Sequence, residues 1–320
     1  MNARRPVLIV GLPRSGTTWT LRALTCAEGT HAILEPDNED KFPAAIHGKH
    51  KVGRYPVLAP GDSAPAYHRL WEWVLGGAPE GRRSLFARRL LGPGAVERIH
   101  QGRADPVTWL ASTVARNPRA PDKGASPWAR FVAKSIHAQL AVEWLADEFD
   151  LDVLLLLRHP ANVLASWMEN NLKDSRNSTL ETRDDIRERY LEPWGVPLPG
   201  PDPIERMSWR IGLLAAAIED AHRLHPEWQI RTHEALCSDM LTEFRSLYDD
   251  LGLEWTPGTE QFLQGHNTPG SGFAVNRVAS ELSDSWQRRL DDAQVSILRR
   301  ELARFPITTW GDVDFARAES

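Results

Sequence analysis

The chain has 320 residues and a formal net charge of −5, from 38 basic and 43 acidic residues. This length fits one large α/β domain with insertions, or two small domains. The mildly acidic balance argues against a general nucleic-acid binder, although one basic pocket could still hold an anionic ligand. The apolar runs are far shorter than the ~20 residues of a membrane-spanning helix, so no integral membrane segment is expected.

The cysteines and the N-terminus indicate a compartment. Cys26 and Cys237 give no disulfide framework. The first apolar run, PVLIV at 6–10, is too short for a secretory signal. We therefore expect a reduced, soluble protein of the cytoplasm.

The first predicted elements are a strand, a glycine turn and a helix, which typically begin a parallel α/β sheet. The strand covers 6–10, the turn 11–16 and the helix 17–27. A second short strand covers 31–36 and is stopped by its proline.

The stretch 37–129 is less regular, with predicted helices at 67–75 and 106–116 between turns rich in glycine and proline. We interpret it as an insertion over the sheet. Several of the 13 tryptophans lie in such irregular stretches, Trp71 and Trp73 among them. They could form an aromatic wall for a ligand or simply anchor the packing.

Regular elements return after residue 129 and are interrupted by the polar, proline-rich stretch 172–203, which we predict to be a lid or flexible rim. All 320 residues are predicted to form one α/β domain with a central parallel sheet and flanking helices. The further elements are strand 130–135, helix 137–150, strand 152–158, helix 160–171, helix 204–226, strand 228–236, helix 239–253 and a last helix at 283–304.

The segment VGLPRSGTTW (10–19) is nearly a phosphate-binding loop. Backbone N–H groups in a tight Gly-x-x-x-x-Gly turn point inward, and the following helix adds positive charge at its N-terminus. Nucleotide hydrolases continue with Gly-Lys-Ser/Thr and use the hydroxyl on Mg²⁺. Here Thr17 and Thr18 follow Gly16, and Arg14 inside the loop can bind a phosphate with two hydrogen bonds. The alternative is a glycine turn that binds nothing.

A second basic position lies at the end of the apolar strand VLLLL. Arg158 stands where hydrolases place a metal-binding aspartate, which opposes metal-assisted cleavage of a triphosphate. Ser166 follows eight residues later in the next helix. Ligands of parallel sheets lie at the carboxyl ends of the strands, so we expect Arg158 to face the glycine loop. The alternative is an arginine in a salt bridge at the sheet edge.

Together, PRSGTTW and LLLRHPANVLASW resemble the two nucleotide-binding motifs of sulfotransferases that use 3′-phosphoadenosine 5′-phosphosulfate (PAPS). Arginine in the loop resembles the tyrosylprotein, carbohydrate and many bacterial members, since the cytosolic branch has lysine. The resemblance covers about 6–36, 130–171 and 204–255. It implies a P-loop nucleotide-binding fold and metal-free sulfuryl transfer to a hydroxyl of a small molecule, glycan or lipid, releasing adenosine 3′,5′-bisphosphate (PAP). The unmatched stretches, 37–129 and 172–203, are expected to form the acceptor site.

The resemblance also implies a role for each matching residue. His233 stands where the family has a tyrosine near adenine, and Trp19 could be a core residue instead. The implied contacts are Arg14 and the backbone of Ser15, Gly16, Thr17 and Thr18 with the 5′-phosphosulfate, Arg158 and Ser166 with the 3′-phosphate, Trp19 and His233 with adenine, and Arg277 in a C-terminal loop over the 3′-phosphate.

Glu35 is the first candidate for the base that takes the acceptor's proton. In the branches with arginine in the loop, a glutamate at this place is the proposed base. The alternative is a capping or salt-bridging glutamate. Asp37, Glu39 and Asp40 lie close in sequence and could compete.

Lys134 and His137 form a second constellation, VAKSIHAQL. The cytosolic branch has Lys-x-His here, with lysine on the sulfuryl group and histidine as base. The spacing is one residue longer in this chain, which favours Lys134 as charge stabiliser and leaves His137 as second candidate base. We expect Lys134 to end a strand beside the one that ends in Arg158. The HGKH segment (47–50) lies in a turn-like stretch without further ligands, so no metal site is expected.

Two other function classes compete with sulfuryl transfer. A kinase-like phosphotransferase would bind ATP with Mg²⁺, which the missing loop lysine argues against. A non-catalytic nucleotide-binding protein would bind the bisphosphate nucleotide without turnover.

Overall fold

A computed structural model gives the architecture around a five-stranded sheet whose described ladders are parallel. The prediction of a central parallel sheet with flanking helices is confirmed. The strands run in the order β2-β3-β1-β4-β5. They are β1 (Val7–Gly11), β2 (Thr30–Leu34), β3 (Arg130–Ser135), β4 (Asp152–Leu157) and β5 (Gln229–Thr232). The structure describes residues 5–40, 42–76, 106, 130–170, 180–266 and 284–316.

The helices follow the strands in the alternating order of an α/β fold. A π-helical segment, Arg187–Leu191, joins α6 to α7, and short 3₁₀ helices lie at Ser285–Arg288 and Asp312–Phe315. The described helices are α1 (Thr17–Leu24), α2 (Pro43–Lys49), α3 (Pro65–Leu75), α4 (Val142–Phe149), α5 (Pro160–Glu169), α6 (Asp184–Ile186), α7 (Glu192–Trp194), α8 (Pro203–Leu224), α9 (His233–Ser238), α10 (Met240–Asp250), α11 (Pro257–His266) and α12 (Asp292–Leu302).

The central strands are buried because their sequences are continuous apolar runs. Every residue of β1 is buried, and β4 is buried from Val153 to Leu157. Such runs suit parallel strands covered on both faces, whereas β5 at the edge is only half-buried. Proline begins α5 and α8, where its missing N–H has no helical partner to lose.

The strand order places a topological switch point at β1. The chain leaves β1 for β2 and β3 on one side of the sheet, and β4 lies on the other side. Ligands of open α/β sheets bind at the carboxyl ends of the strands that flank such a point. The glycine loop follows β1, and Arg158 follows β4.

This order corrects one prediction about neighbours. β3, which carries Lys134, pairs with β1 and β2, so β1 separates it from β4. Lys134 therefore does not end a strand beside the one preceding Arg158. Its register partners are Ile9 of β1 and Leu34 of β2.

The predicted helix at 137–150 was too long at its start. The hydroxyl of Ser135 accepts the N–H of His137 at 3.0 Å, and a turn follows before α4 begins at Val142. His137 thus lies in a turn directly after β3.

Two other boundaries differ from the predictions because a side-chain cap begins the helix. The predicted strand 228–236 ends at Thr232, whose hydroxyl caps α9 by accepting the N–H of Ala235 at 3.1 Å. The last predicted helix is a 3₁₀ turn followed by α12, which begins at a capping box on Asp291. The predicted lid contains α6 and α7 in the part the structure describes, and the HGKH segment is mostly helical, in α2.

The chain divides into two compact units, each with its own aromatic core. The first comprises Met1–Val10, Thr17–Leu154 and Leu251–Thr259, and the second Gly11–Gly16, Leu155–Asp250 and Glu260–Ser320. Trp71, Tyr67 and Trp144 pack together in the first unit. The second unit buries Trp167, Trp209 and Trp286. Trp71 is fully buried, so it anchors packing. No helix in the described ranges is both long enough and apolar enough to span a bilayer.

Candidate active site

The glycine loop after β1 is held in a tight turn by its own groups. The N–H and the hydroxyl of Ser15 both donate to the carbonyl oxygen of Leu12, at 3.1 and 2.7 Å. Arg14 and Gly16 have φ angles of +75° and +90°. The left-handed backbone at Gly16 favours glycine, because a Cβ is strained there. Contacts within the loop therefore contribute to the shape of the turn.

Arg158 braces this loop from the end of β4. Its Nη1 donates to the carbonyl oxygen of Arg14 at 2.8 Å. Its Nε is buried and has no hydrogen-bond partner among the described residues. Burial lowers the pKa of this guanidinium, while the Glu234 carboxylate acts in the opposite direction. A buried guanidinium N–H without a partner is the group that a bound anion would satisfy.

Helix α5 completes the contacts on the loop. The Arg14 Nε donates to the hydroxyl oxygen of Ser166 at 2.9 Å, and the indole N–H of Trp167 donates to the Pro13 carbonyl at 2.9 Å. Asn170 fixes the same turn of α5 by donating to the Ser166 carbonyl at 2.7 Å. The structure thus brings together Arg14, Arg158 and Ser166. We call these residues, with Gly16 and His233, the loop cluster.

His233 begins α9 and packs its ring on the loop. A β-carbon built on Gly16 would lie 2.1 Å from Cδ2 of this ring. The sulfur of Cys237 is 3.6 Å from Nδ1. Burial, and then the positive charge of Arg158, hold the His233 pKa well below its ordinary value, so the ring is neutral at neutral pH. The His233 ring therefore packs against the backbone of the glycine loop.

Sequence reasoning missed Glu234, the next residue of α9. Both of its carboxylate oxygens accept the N–H of His159 at 3.1 Å, and Asn162 of α5 donates to it at 3.4 Å. Burial raises the pKa of Glu234, while the nearby Arg158 charge lowers it. Glu234 thereby ties α9 to the start of α5, the segment that follows Arg158. The segment RTHEAL contains this glutamate, but only the tertiary fold shows its partner.

A second group of polar residues, the carboxylate cluster, consists of Glu35, Asn38, Lys134, Thr17 and Thr18. Glu35 follows β2 directly, and its Oε1 lies 2.5 Å from Nζ of Lys134. Asn38 donates to its Oε2 at 2.7 Å. Lys134 also donates to the hydroxyls of Thr18 and Thr17, at 2.8 and 3.2 Å. These two threonines immediately follow Gly16 in the chain.

His137, the second candidate base, lies in a buried ionic network. Its Nδ1 is 3.4 Å from Nζ of Lys49 and 3.7 Å from a carboxylate oxygen of Glu39. Burial, followed by the charges of Lys49 and Arg54, keeps its pKa well below the ordinary value. The ring is therefore neutral and packed edge-on against Tyr55, with centroids 5.1 Å apart.

Asp37 anchors the same network and was named in sequence only as a competing base. Its carboxylate accepts the hydroxyls of Ser135, at 2.7 Å, and Tyr67, at 3.1 Å. Its backbone carbonyl accepts the ammonium group of Lys49 at 3.0 Å. Burial raises its pKa, against the lowering effect of Lys49. Asp37 is fully buried and fixes the turn between Glu35 and α2.

Trp19, Arg277 and the histidines of the HGKH segment are the remaining residues named in the sequence analysis. Trp19 lies in the first turn of α1 and is half-buried. Arg277 falls outside the described residues. His47 and His50 stack their rings at 5.5 Å. In the described ranges, no group of three or more His, Cys, Asp or Glu side chains could hold a metal ion.

No family model matches the chain, and no curated protein matches it. Among solved structures, the chain is similar to the sulfotransferase domain from the curacin biosynthetic pathway, with 15% identity, a TM-score of 0.46, and coverage of 94% of this chain and 98% of that chain. It is also similar to the sulfotransferase domain of the Synechococcus PCC 7002 olefin synthase, with 14% identity, a TM-score of 0.46, and coverage of 94% and 96%. Sulfotransferase STF9 from Mycobacterium avium is 17% identical, with a TM-score of 0.43 and coverage of 96% and 78%. At these values, the activity has to be argued from the residues of this chain.

Proposed function

We propose that this chain transfers the sulfuryl group of PAPS to a hydroxyl group of a small-molecule, glycan or lipid acceptor. The observation that carries the proposal is Arg158. Its buried Nε has no partner among the described residues, and its Nη1 is bonded to the glycine loop at the switch point of the sheet. A buried guanidinium N–H at this place can donate a hydrogen bond to an anionic ligand.

The loop cluster fits a nucleotide with two separated anionic groups. Arg158 and Ser166 would hold the 3′-phosphate, because both lie on the α5 side of the loop. Arg14 and the backbone N–H groups at 16–18 would hold the 5′ end, where the first turn of α1 adds its positive dipole. Ser15 uses its own N–H inside the turn, so we assign it the role of shaping the loop.

The bound nucleotide supplies an activated sulfuryl group that a hydroxyl oxygen can attack. The chain must then accept the proton of that hydroxyl and stabilise charge near the transferred group. We assign proton acceptance to Glu35, whose carboxylate is held by two donors. Lys134 would stabilise charge, because its ammonium group already bonds the hydroxyls of Thr17 and Thr18, the residues that follow the loop. His137 remains the alternative base.

The residues at the strand ends favour this chemistry over phosphoryl transfer. Thr17 stands where the P-loop lysine would be, and Arg158 where a metal-binding carboxylate would be. A kinase-like enzyme needs a cation at the first place and an anion at the second. Both cysteines are free thiols, which suits a reducing compartment, and we place the activity in the cytoplasm.

Calorimetry on the full chain tests the nucleotide class. We expect PAP to bind tightly without Mg²⁺ and ATP to bind weakly with or without it. Tight, Mg²⁺-dependent ATP binding together with weak PAP binding would overturn the proposal in favour of a kinase-like protein.

Transfer is tested with ³⁵S-labelled PAPS and extracts of the source cells, followed by mass identification of labelled products. Arg158→Ala protein serves as the control, because its weaker binding of the 3′-phosphate should lower the amount of label transferred. Tight PAP binding without any labelled product across extracts and simple phenol, sugar and lipid acceptors would indicate a non-catalytic nucleotide-binding protein.

A further inference from the structure

The turn after β2 carries a buried amide, Asn38, whose orientation is fixed from two sides. Its backbone N–H donates to the Glu35 carbonyl at 3.1 Å, and its Oδ1 accepts the N–H of Asp40 at 3.0 Å. Only 5% of Asn38 is exposed. Because a backbone N–H can bond only the oxygen of the amide, the NH₂ group must point the other way. It points to Oε2 of Glu35, 2.7 Å away.

Lys134 and Asn38 both hold Glu35. Its N–H donates to the Lys134 carbonyl at 2.9 Å, and its Oε1 pairs with the Lys134 ammonium group. Its φ angle is +50°, in a region that non-glycine residues rarely adopt. Removing the Asn38 amide would remove this hydrogen bond to Oε2.

We propose that Asn38 is a positioning residue for Glu35, which fixes the carboxylate plane and favours its ionised, proton-accepting form. The inference rests on the proposed function for its catalytic meaning, but the contact itself is independent of it. A donor on a carboxylate oxygen stabilises the ionised form, and a like charge at the same distance would destabilise it. Asn38 therefore tunes when Glu35 can accept a proton.

Charged and titratable groups from the neighbouring elements surround this turn. From β3, Lys134 faces Oε1. From α1, the threonine hydroxyls bond Lys134. The carboxylate of Asp37 faces Ser135 and Tyr67, and that of Glu39 pairs with Lys49 and Arg54.

The decisive variant is Asn38→Asp, which keeps the size of the side chain and its bond to the Asp40 N–H. It replaces the donor facing Oε2 with a carboxylate oxygen. NMR titration of ¹³C-glutamate-labelled protein, with Glu35→Gln to assign the signal, measures the midpoint of the Glu35 carboxyl without nucleotide or acceptor. We expect the midpoint to rise by about one pH unit. Asn38→Ser, which removes the donor and adds no charge, should raise it by less and serves if the aspartate variant does not fold.

Gln139→Glu is the matched control, because it converts another buried amide of the same unit into an acid. Gln139 donates to the Ile136 carbonyl at 3.0 Å. In this variant the Glu35 midpoint should stay within about 0.3 pH units, because the Gln139 amide bonds the Ile136 carbonyl, whereas the Asn38 amide bonds the Glu35 carboxylate itself. An unchanged midpoint in both Asn38 variants would overturn the inference, whatever reaction the protein catalyses.

The acidic limb of the pH–rate profile for sulfuryl transfer separates a positioning role from a merely structural one. In Asn38→Asp it should move to higher pH by the same amount as the carboxyl midpoint, with PAP affinity unchanged. A rate lowered equally at every pH would overturn the positioning role. A shifted carboxyl midpoint in a protein that transfers no sulfate from PAPS would leave the contact intact and sink the proposed function alone.

Discussion

The imidazole ring of His233 covers Gly16 so closely that a β-carbon on this glycine would lie 2.1 Å from Cδ2 and 2.9 Å from Nε2 of the ring. The ring and the loop therefore pack directly against each other, and glycine is required at this position for two reasons. Its φ angle of +90° disfavours any side chain, and its α-carbon touches a buried neighbour.

Gly16→Ala should weaken PAP binding by at least about tenfold, equivalent to ~1.4 kcal/mol. The added methyl group must displace either the ring or the loop backbone whose N–H groups would bind the 5′ end. Calorimetric titration of the variant with PAP measures the loss.

Gly61→Ala provides the matched control. Gly61 has a φ angle of +86°, but a β-carbon there would meet no atom within 4 Å. Both alanines carry the backbone strain of about 1–2 kcal/mol, and only the one at Gly16 meets His233. Equal PAP affinity in the two variants would contradict the role of the packed loop. Adding His233→Ala to Gly16→Ala should recover part of the lost affinity.

Arg158→Ala should abolish the preference for a 3′-phosphate. The guanidinium offers a buried N–H, and hydrogen bonds to charged groups contribute about 1.5–3 kcal/mol. The ratio of PAP affinity to adenosine 5′-monophosphate affinity should therefore fall by roughly 10- to 150-fold. Arg299→Ala removes an exposed arginine of the same unit, paired with Asp312, and should leave the ratio unchanged. If Arg158→Ala keeps the wild-type ratio, the 3′-phosphate site lies elsewhere.

Acid should destabilise the fold through its buried histidines. Burial holds the pKa of His233 well below its ordinary value of 6.5. At a pH between the lowered pKa of the folded state and 6.5, His233 binds a proton in the unfolded chain but not in the folded chain. Stability therefore falls as the pH drops below about 6.5, by at most ~1.4 kcal/mol per pH unit for one group, and above that value this histidine has no effect.

Urea unfolding at pH 7.5, 6.0 and 5.0 tests this dependence. His233→Gln should lose less stability between pH 7.5 and 5.0 than the wild type does. His137 and His159 also have lowered pKa values, so His233→Gln should remove only part of the pH dependence of the unfolding free energy. A wild-type slope in His233→Gln would contradict the assignment.

The elements that sequence predicted well are those whose cause is local. The buried runs of β1 and β4, the proline that begins α5 and the glycine loop all depend on neighbouring residues. The spacing of Arg158 and Ser166 places both beside the loop for the same reason, because a strand end and the first turns of its helix have fixed geometry.

The features that sequence did not predict depend on contacts between distant segments. The sequence of a single strand does not determine its neighbours in the sheet. The position of β1 between β3 and β4 was therefore not predicted. The start of α4 moved because the hydroxyl of Ser135 holds the N–H of His137. The bond of Lys49 to the Asp37 carbonyl appears only once α2 packs against the turn that follows β2.

Glu35→Gln should reduce sulfuryl transfer by about 10²–10⁴-fold, the usual contribution of a positioned general base. The amide keeps an oxygen for Lys134 but cannot accept the acceptor's proton. PAP affinity should change little, because the assigned nucleotide contacts involve the loop cluster. Single-turnover transfer from PAPS, with PAP binding measured in parallel, separates the two effects.

His137→Gln is the comparison that decides between the two candidate bases. The His137 ring is neutral and enclosed by Lys49, Glu39 and Tyr55, so we expect its replacement to lower stability while most of the transfer rate per folded molecule remains. The opposite pattern, with full transfer in Glu35→Gln and none in folded His137→Gln, would move the base to His137. The Lys134–Glu35 pair would then be a structural salt bridge, whose loss destabilises the fold because it removes the Glu35 carboxylate from a buried ammonium group.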